Sequence, residues 1–279
     1  MNPAVRQKPQ MGFTLVELLV ALGIFLVITG AAFALLGSSQ QRYQTESQVL
    51  NSFQEARLGL DQMVRDINDA GFPPPTFFSS SYPLQSTSFP FGWSPGYTVP
   101  SACQLGTGGG GTCLTPGDFD IIIETDPNPQ DPACAPNCPV QWIRYTLQGT
   151  TLMRGVAPKA SSHDPATDTS LSGVLVPFVQ NVVNNACPPS LPGCQTAYPL
   201  IFPGGAPVPI FSFICDTPIT SQYPAPACRS ALADNSPANI RDVGITLIVA
   251  APLPDAATGL PRLVQLSGRG RRVNPNLYQ

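Results

Sequence analysis

The chain has 279 residues, of which 43% are apolar and only 11% are charged. This length exceeds the needs of one small domain, and the apolar content is sufficient to bury a sizeable core. The low charge density and the net charge of −3 exclude a general nucleic-acid-binding surface. The 33 prolines and 24 glycines predict long irregular connections between secondary-structure elements.

The first predicted element is an apolar segment, Phe13–Leu36, that contains a single charged residue, Glu17. A helix of this length, about 36 Å at the standard rise, is long enough to cross a hydrocarbon core. A secretory signal peptide would have a shorter apolar region followed by a small-residue cleavage site. Because Arg6 and Lys8 precede the segment without any acid, we expect a cytoplasmic N-terminus and an outward-crossing remainder.

Glu17 requires an explanation, because a carboxylate within an apolar segment is costly and should have a partner. One alternative is a tolerated charge that reaches the lipid headgroups from near the helix end. The other applies if the chain is cut after Gly12, which gives Phe13 a free amino group one helical turn from Glu17. The carboxylate would then neutralise this ammonium group, in its own chain or in a neighbouring copy, and would set the stagger between packed subunits.

The residues from Lys8 to Leu22, K-P-Q-M-G-F-T-L-V-E-L-L-V-A-L, resemble the N-terminal signature of type IV pilins and type II secretion pseudopilins. In that family a prepilin peptidase cuts after the glycine and methylates the new N-terminal phenylalanine. The resemblance implies a leader peptide at 1–12, methylation of Phe13 after cleavage at Gly12, and assembly through Glu17. It also implies four partners: other pilin subunits, prepilin peptidase, an inner-membrane assembly platform and, before assembly, membrane lipid.

Residues 37–71 predict an amphipathic continuation of the same helix, so that one helix runs from Phe13 to Ala70. Apolar residues recur at gaps of three and four along this stretch and form one face. A coiled coil is the alternative, although the apolar stripe is short and its flanking charges are irregular. The segment Arg42–Phe72, and above all its R-D-I-x-x-A-G-F ending, is similar to PilW-type minor pilins and the related J-type minor pseudopilins.

Eight cysteines follow residue 100 and fall into four local pairs. An even number in loop-rich sequence after a membrane segment predicts disulfides in an oxidising compartment. Zinc is the competing interpretation, but the cysteine spacings all differ and the only histidine is His163. Eight cysteines allow about 105 connectivities, among which we predict pairing between neighbours. The predicted pairs are Cys103–Cys113, Cys134–Cys138, Cys187–Cys194 and Cys215–Cys228.

Residues 72–279 predict a globular α+β head in which mostly antiparallel strands follow the long helix. Gly149 is expected to join two strands in a hairpin, and a turn around Asp255–Gly259 to join the last two. The order of elements also resembles the heads of the same minor pilins. The predicted strands are Phe119–Glu124, Val140–Leu147, Thr151–Val156, Ile210–Cys215, Val243–Ala250 and Arg262–Leu266, and Val174–Asn184 is predicted to be a short helix.

The head sequence shows no arrangement typical of catalysis or of a cofactor site. His163 lies in a polar loop without a partner cluster, and the glycine run Thr107–Thr112 lacks the Lys-Ser/Thr pair of a phosphate-binding loop. Oxygen ligands for calcium occur in the loops, but their spacing matches no defined calcium loop. These acids are Asp126, Asp131, Asp164 and Asp168. We therefore predict no enzyme activity, no metal and no cofactor.

The C-terminal tail holds Arg269, Arg271 and Arg272, which are able to contact DNA phosphates. We interpret them instead as a solvated strand end, and nucleic acid is not an expected partner.

Taken together, these features predict a structural minor pilin, a priming or tip subunit of a type IV pilus. A minor pseudopilin of a type II secretion system is the first alternative, because it shares the same N-terminal physics. An adhesion or binding module mounted on a pilin helix is the second, with the aromatic-rich loop Phe77–Tyr97 as its site. The predicted location is a single-pass inner-membrane protein with a periplasmic or extracellular head. After assembly the protein would lie in a surface pilus or a periplasmic pseudopilus.

Overall fold

A computed structural model of the protein describes residues 12, 14–72, 90–94, 103–105, 112–126, 128, 139–159, 169–189, 191–216, 227–230, 235–255 and 258–272. The chain divides into two compact units, one up to Ser47 and the other from Gln48 onward. The first contains the apolar part of the long helix. The second contains the rest of that helix and the strands.

The predicted long helix is confirmed as α1, Leu15–Asn68. It is long enough and apolar enough to cross a membrane by length and composition, and its most apolar window is not buried within the chain. The polar side chain of Thr29 does not interrupt it, because its hydroxyl donates to the Phe25 carbonyl oxygen at 2.7 Å. The first unit is therefore a helix with an apolar surface that the described residues do not cover.

The second unit begins with a five-stranded antiparallel sheet in which the strands are adjacent in chain order. The hairpin between the third and fourth strands turns at Gly149, whose φ of 60° lies in the left-handed region that glycine adopts without strain. This agrees with the predicted hairpin. The strands are β1 Phe91–Gly92, β2 Asp120–Thr125, β3 Gln141–Gln148, β4 Thr151–Pro158 and β5 Val176–Val179.

A second antiparallel sheet contains three strands in the order β6-β7-β8. Its last hairpin was predicted, but both strands extend beyond the predicted ends, because residues with polar side chains continue the pairing as far as Asp242 opposite Arg271. The strands are β6 Phe211–Cys215, β7 Ile240–Pro254 and β8 Pro261–Arg271. Two four-residue helices, α2 Thr169–Ser172 and α3 Cys194–Ala197, lie in the connections.

The short helix predicted over Val174–Asn184 is wrong, since this segment contains the edge strand β5. Pro177 lies within β5, where an edge position tolerates its missing N–H, whereas the interior of a helix would not. The chain then bends at Asn181, whose φ is 57°. After this bend it runs beside β7, where Val182 forms a bridge with Val249.

The main core of the second unit lies between α1 and the two sheets. Ala56, Leu60, Met63 and Ile67 form the buried stripe of the helix, with the spacing of three and four that the sequence predicts. They pack in one cluster with residues from both sheets. The strand residues of this cluster include Ile121, Ile143, Tyr145, Phe211, Val243, Ile245 and Leu247.

Two glycines in β8 allow the strand to approach α1 closely. A Cβ atom placed on Gly268 would lie 2.9 Å from Leu60 Cδ1. One placed on Gly270 would lie 2.5 Å from Ile67 Cγ2 and 2.7 Å from Ile67 Cβ. Since real Cβ atoms do not come so near to other carbon atoms, the helix–sheet distance depends on the absence of side chains at these positions.

Gly270→Ala is expected to destabilise the protein by about 2 kcal/mol, because overpacking at a helix–sheet contact forces a shift of Ile67 or of β8. The measurement is the urea midpoint of the full chain in detergent. Ser267→Ala, on the exposed face of the same strand, is the control and should change stability by less than about 0.5 kcal/mol. Equal midpoints for the two variants would contradict the assignment.

Candidate functional site

The N-terminal end of α1 is closed by a reciprocal pair of hydrogen bonds between Thr14 and Glu17. The backbone N–H and the hydroxyl of Thr14 donate to Glu17 Oε2 at 2.9 and 3.0 Å, and the Glu17 N–H donates to Thr14 Oγ1 at 3.3 Å. This is a capping box, which satisfies N–H groups that have no partner within the helix. In the single chain, therefore, the partner of the lone carboxylate is Thr14.

Our sequence interpretation missed this role, although the spacing T-x-x-E in Thr14–Glu17 is a readable signal for it. Gly12 is exposed, whereas Phe13 lies outside the described residues. The structure thus places the predicted assembly carboxylate in the first turn of α1.

The apolar segment of α1 presents its large side chains to the surroundings all around the helix. Leu15, Phe25 and Phe33 are each more than 60% exposed, and Leu36 at the predicted end of the span is 55% exposed. A surface of this size is costly in water and calls for lipid or other apolar helices as its cover.

Within the second unit, a polar cluster joins α1 to the five-stranded sheet. Asp66 Oδ2 accepts hydrogen bonds from the Tyr145 hydroxyl at 2.5 Å and from Arg154 Nη2 at 3.0 Å. Arg154 Nε also donates to the Tyr145 oxygen at 2.9 Å. The three side chains, one each from α1, β3 and β4, fix the end of the helix on the sheet.

The pKa values of this cluster follow its burial and its charges. Burial and the adjacent Asp66 carboxylate raise the pKa of Tyr145, so this hydroxyl stays protonated and remains a donor. Burial alone would lower the pKa of Arg154, but Tyr145 and Asp66 outweigh it and raise that pKa. The Tyr145 hydroxyl and the Arg154 guanidinium group therefore stay protonated and remain hydrogen-bond donors.

A second buried ion pair lies at one end of β2–β4. Lys159 Nζ is 3.0 Å from Glu124 Oε2, and Trp142 Nε1 donates to Glu124 Oε1 at 3.2 Å. Burial of charges without solvent requires such complete pairing. These contacts fix the head but present no group to a substrate.

A buried amide joins the segment that follows β5 and the segment that precedes β6 to strand β7. The Asn184 side chain donates to the carbonyl oxygens of Val208 and Thr246 at 3.1 and 2.9 Å, and its oxygen accepts from the Ile248 N–H at 2.8 Å. Because these partners lie 24 to 64 residues away, no local sequence signal marks Asn184 for this role.

The described residues contain three disulfides, Cys103–Cys113, Cys187–Cys194 and Cys215–Cys228. They are pairs between neighbours, as the sequence spacing suggests. The Cys134–Cys138 pair lies outside the described residues.

The predicted loop site of the adhesion hypothesis is placed differently from expectation. Phe91 lies in β1 and Trp93 follows it, and both side chains are fully buried. They cannot present an aromatic binding surface, because they pack in the core and its satellite cluster. Residues 77–89 and 95–97 of the predicted loop lie outside the described residues.

Of the acids considered as calcium ligands, only Asp126 lies in the part of the chain that the structure describes. Asp126 is buried, and its Oδ1 accepts a hydrogen bond from the Asn128 N–H at 3.0 Å. Asp131, Asp164 and Asp168, like His163, fall outside the described residues. Across the described ranges no group of three or more His, Cys, Asp or Glu side chains is placed to hold a metal ion.

The three C-terminal arginines do not form a uniformly solvated strand end. Asp242, which is buried, lies 2.7 Å from Arg269 Nη2 and 3.9 Å from Arg271 Nε. Arg272 donates to the Ala238 carbonyl oxygen at 3.0 Å, and burial lowers its pKa while the nearby Asp216 opposes this. Only Arg269 and Arg271 keep more than half of their side chains exposed.

Comparison with known proteins places the N-terminal features in a family context. Residues 8–33 match the family described as the prokaryotic N-terminal methylation motif. No curated protein matches the chain. Among solved structures, a type IV-like pilin from Thermus thermophilus aligns with 9% identity and a TM-score of 0.36, over 78% of this chain and 95% of that one. The chain thus carries a prepilin-type N-terminal methylation motif.

Proposed function

We propose that the protein is a structural subunit of a type IV pilus or a related pilin-like fibre. The observation that carries this proposal is the methylation motif at 8–33 on a helix whose apolar surface the chain leaves uncovered. Prepilin peptidase would cut after Gly12 and methylate Phe13. Residues 1–12 would then be a leader, 13–36 the membrane-spanning and fibre-core part of the helix, 37–71 its amphipathic part and 72–279 the head.

Assembly would follow from the same physics. Before assembly, lipid covers the apolar helix of a single-pass inner-membrane protein with a cytoplasmic N-terminus. In the fibre, other pilin subunits replace lipid, and Glu17 pairs with the Phe13 ammonium group of a neighbour and sets the register. An inner-membrane assembly platform would drive this transfer. We assign the protein a structural role and no enzymatic one.

We further propose a minor subunit, acting in priming or at the tip. The proline-rich head and the similarity of Arg42–Phe72 to PilW-type minor pilins support this role. A minor pseudopilin of a type II secretion system is the alternative, since it shares the entire N-terminal argument. Neighbouring genes would distinguish the two.

The proposal predicts that processing depends on prepilin peptidase. Membrane-extracted protein from cells with the peptidase should have an intact mass that lacks residues 1–12 and includes one methyl group. Protein from cells without the peptidase should keep its full length. A full-length N-terminus in both strains would contradict the proposal and would favour a permanently anchored binding protein.

The adhesion hypothesis is tested by trimming its loop. Because Phe91 and Trp93 are part of the packed head, the deletion must stay within 77–89. Loss of surface binding with normal amounts of fibre would support adhesion, whereas normal binding would remove this loop from consideration.

A further inference from the structure

The edge of β8 is the longest open sheet edge among the residues that the structure describes. The Arg272 N–H donates to the Arg241 carbonyl oxygen. In an antiparallel pair, every second residue from Arg272 back toward the start of β8 is therefore hydrogen-bonded to β7 through its backbone. The residues between them direct their N–H and C=O groups away from β7. Consistent with this, the Arg271 N–H donates to Asn68 Oδ1 of α1, at 2.9 Å.

Apart from Arg271, the outward-facing backbone groups of this edge have no partner strand among the residues that the structure describes. The outward N–H groups of Gln265, Ser267 and Arg269 find no acceptor in the described part of the chain. These three side chains are also exposed, on the face of the sheet opposite to the one that contacts α1. The eleven-residue strand Pro261–Arg271 is thus an edge strand of the sheet. At every second residue its backbone groups point outward, and those of Gln265, Ser267 and Arg269 have no partner strand among the described residues.

The other described edges differ from this one. β5 contains Pro177, which cannot donate to a further strand. β1 has only two residues. β6 is covered in part, because Ile214 forms a bridge with Ala227 and the Cys228 N–H donates to the Phe213 carbonyl oxygen. Only β8 combines length with open backbone groups.

The charges along β8 have one sign. The strand contains Arg262, Arg269 and Arg271 and no acidic residue. The side chains of Arg269 and Arg271 are 58% and 66% exposed, although Asp242 lies beneath them at 2.7 and 3.9 Å. Asp242 also lies 3.3 Å from Arg241 Nε, so one buried carboxylate faces three guanidinium groups and cannot neutralise them all. Arg262, near the start of the strand, pairs with Asp255 at 2.7 Å.

We propose that the β8 edge binds an extended, acidic segment of a partner protein, which adds to the sheet as an antiparallel strand. Its backbone would pair with Gln265, Ser267 and Arg269, as in other cases of strand addition to an open edge. In an antiparallel pair, directly opposed residues share a face, so acidic side chains at alternate positions would meet Arg269 and Arg271. This proposal applies equally to a subunit of a type IV pilus and to a subunit of a secretion pseudopilus.

The alternative is a protective role, in which the arginines prevent any other strand from pairing with this edge, since charged side chains often protect edge strands. The two interpretations differ in one measurable property. A protective edge binds no strand, whereas a docking edge binds an acidic strand through its backbone.

The probe is a fluorescent peptide of about eight residues with alternating glutamate and threonine, titrated against the full chain in detergent. We expect saturable binding that weakens when salt is raised. A matched peptide with lysine in place of glutamate should bind about tenfold more weakly or not at all. Absence of saturable binding by the acidic peptide would overturn the proposal.

Two backbone tests separate strand pairing from simple charge attraction. N-methylation of the glutamate nitrogens should weaken binding about tenfold, because in the antiparallel arrangement these N–H groups face β8, whereas N-methylation of the threonine nitrogens should have little effect. The proposal would be overturned if the two methylated peptides bound with equal affinity, whether strong or weak. It would also be overturned if the peptide methylated at the threonine nitrogens bound more weakly than the one methylated at the glutamate nitrogens.

Ser267→Pro removes one outward N–H and no bond to β7, so it should weaken peptide binding about tenfold, while Ser267→Ala should not. Wild-type affinity of a folded proline variant would overturn the proposal. If this variant fails to fold, the methylated peptides decide alone. If a single-stranded oligonucleotide binds as tightly as the acidic peptide, the proposal is also overturned, and phosphate groups become the ligands of these arginines.

Discussion

Glu17→Val is expected to leave processing intact and to lower the amount of this protein in sheared fibres by about tenfold or more. In the proposed fibre the Phe13 ammonium group of a neighbour would lose its only counter-charge in an apolar environment. A penalty of about 1.4 kcal/mol already gives a factor of ten, and an unpaired charge among apolar helices costs more. The measurement compares the mutant in sheared fibres with the mutant in whole cells, together with its intact mass.

Thr14→Ala is the matched control, because Glu17 also belongs to the capping box. This change removes the cap from α1 at a cost of about 1 kcal/mol but keeps the carboxylate. We expect processed protein and nearly normal incorporation. Equal losses for both variants would assign the effect to helix capping, and normal incorporation of Glu17→Val would contradict the register argument.

Asp66→Ala is expected to destabilise the protein by about 3 kcal/mol. The change leaves the Tyr145 hydroxyl and the Arg154 guanidinium group without their shared acceptor, and breaking a buried charged pair costs several kcal/mol. Arg154 is a quarter exposed, and water will offset part of this loss. The measurement is the urea midpoint of the full chain in detergent, with the fluorescence of the buried tryptophans as the signal of unfolding.

Asp61→Ala is the control, since Asp61 lies on the exposed face of the same helix. It should change stability by less than about 0.5 kcal/mol. Asp66→Asn should lie between the two, because the amide still accepts from Tyr145 but carries no charge. Equal midpoints for Asp61→Ala and Asp66→Ala would contradict the role of the cluster.

Elements defined by local patterns could be predicted from the sequence. The apolar stripe of α1 has the helical period, and Gly149 supplies the turn that the β3–β4 hairpin needs. The β7–β8 hairpin was recognisable for the same reason. Each of these elements is specified by residues within a short segment, so the local sequence is sufficient to predict it.

The features that the sequence did not reveal depend on contacts between distant residues. Asp66 and Arg154 are 88 positions apart, and nothing near either residue indicates the other. The segment around Pro177 was predicted to be a short helix, whereas pairing with the adjacent β4 makes it a strand. Of the candidate site, the assembly role of Glu17 rests on its motif and stays a prediction, while its cap with Thr14 was overlooked.

The three described disulfides have a consequence for the order of maturation. Each links cysteines only 7 to 13 positions apart, so each closes a short loop within one stretch of chain. Such a bond can form as soon as its own stretch of chain is exposed to an oxidant, without waiting for remote segments. Because each of these described partners is the nearest cysteine, we expect oxidation to need little help from a disulfide isomerase. If the protein is the membrane-anchored subunit that we propose, its head could be oxidised before the apolar helix leaves the bilayer.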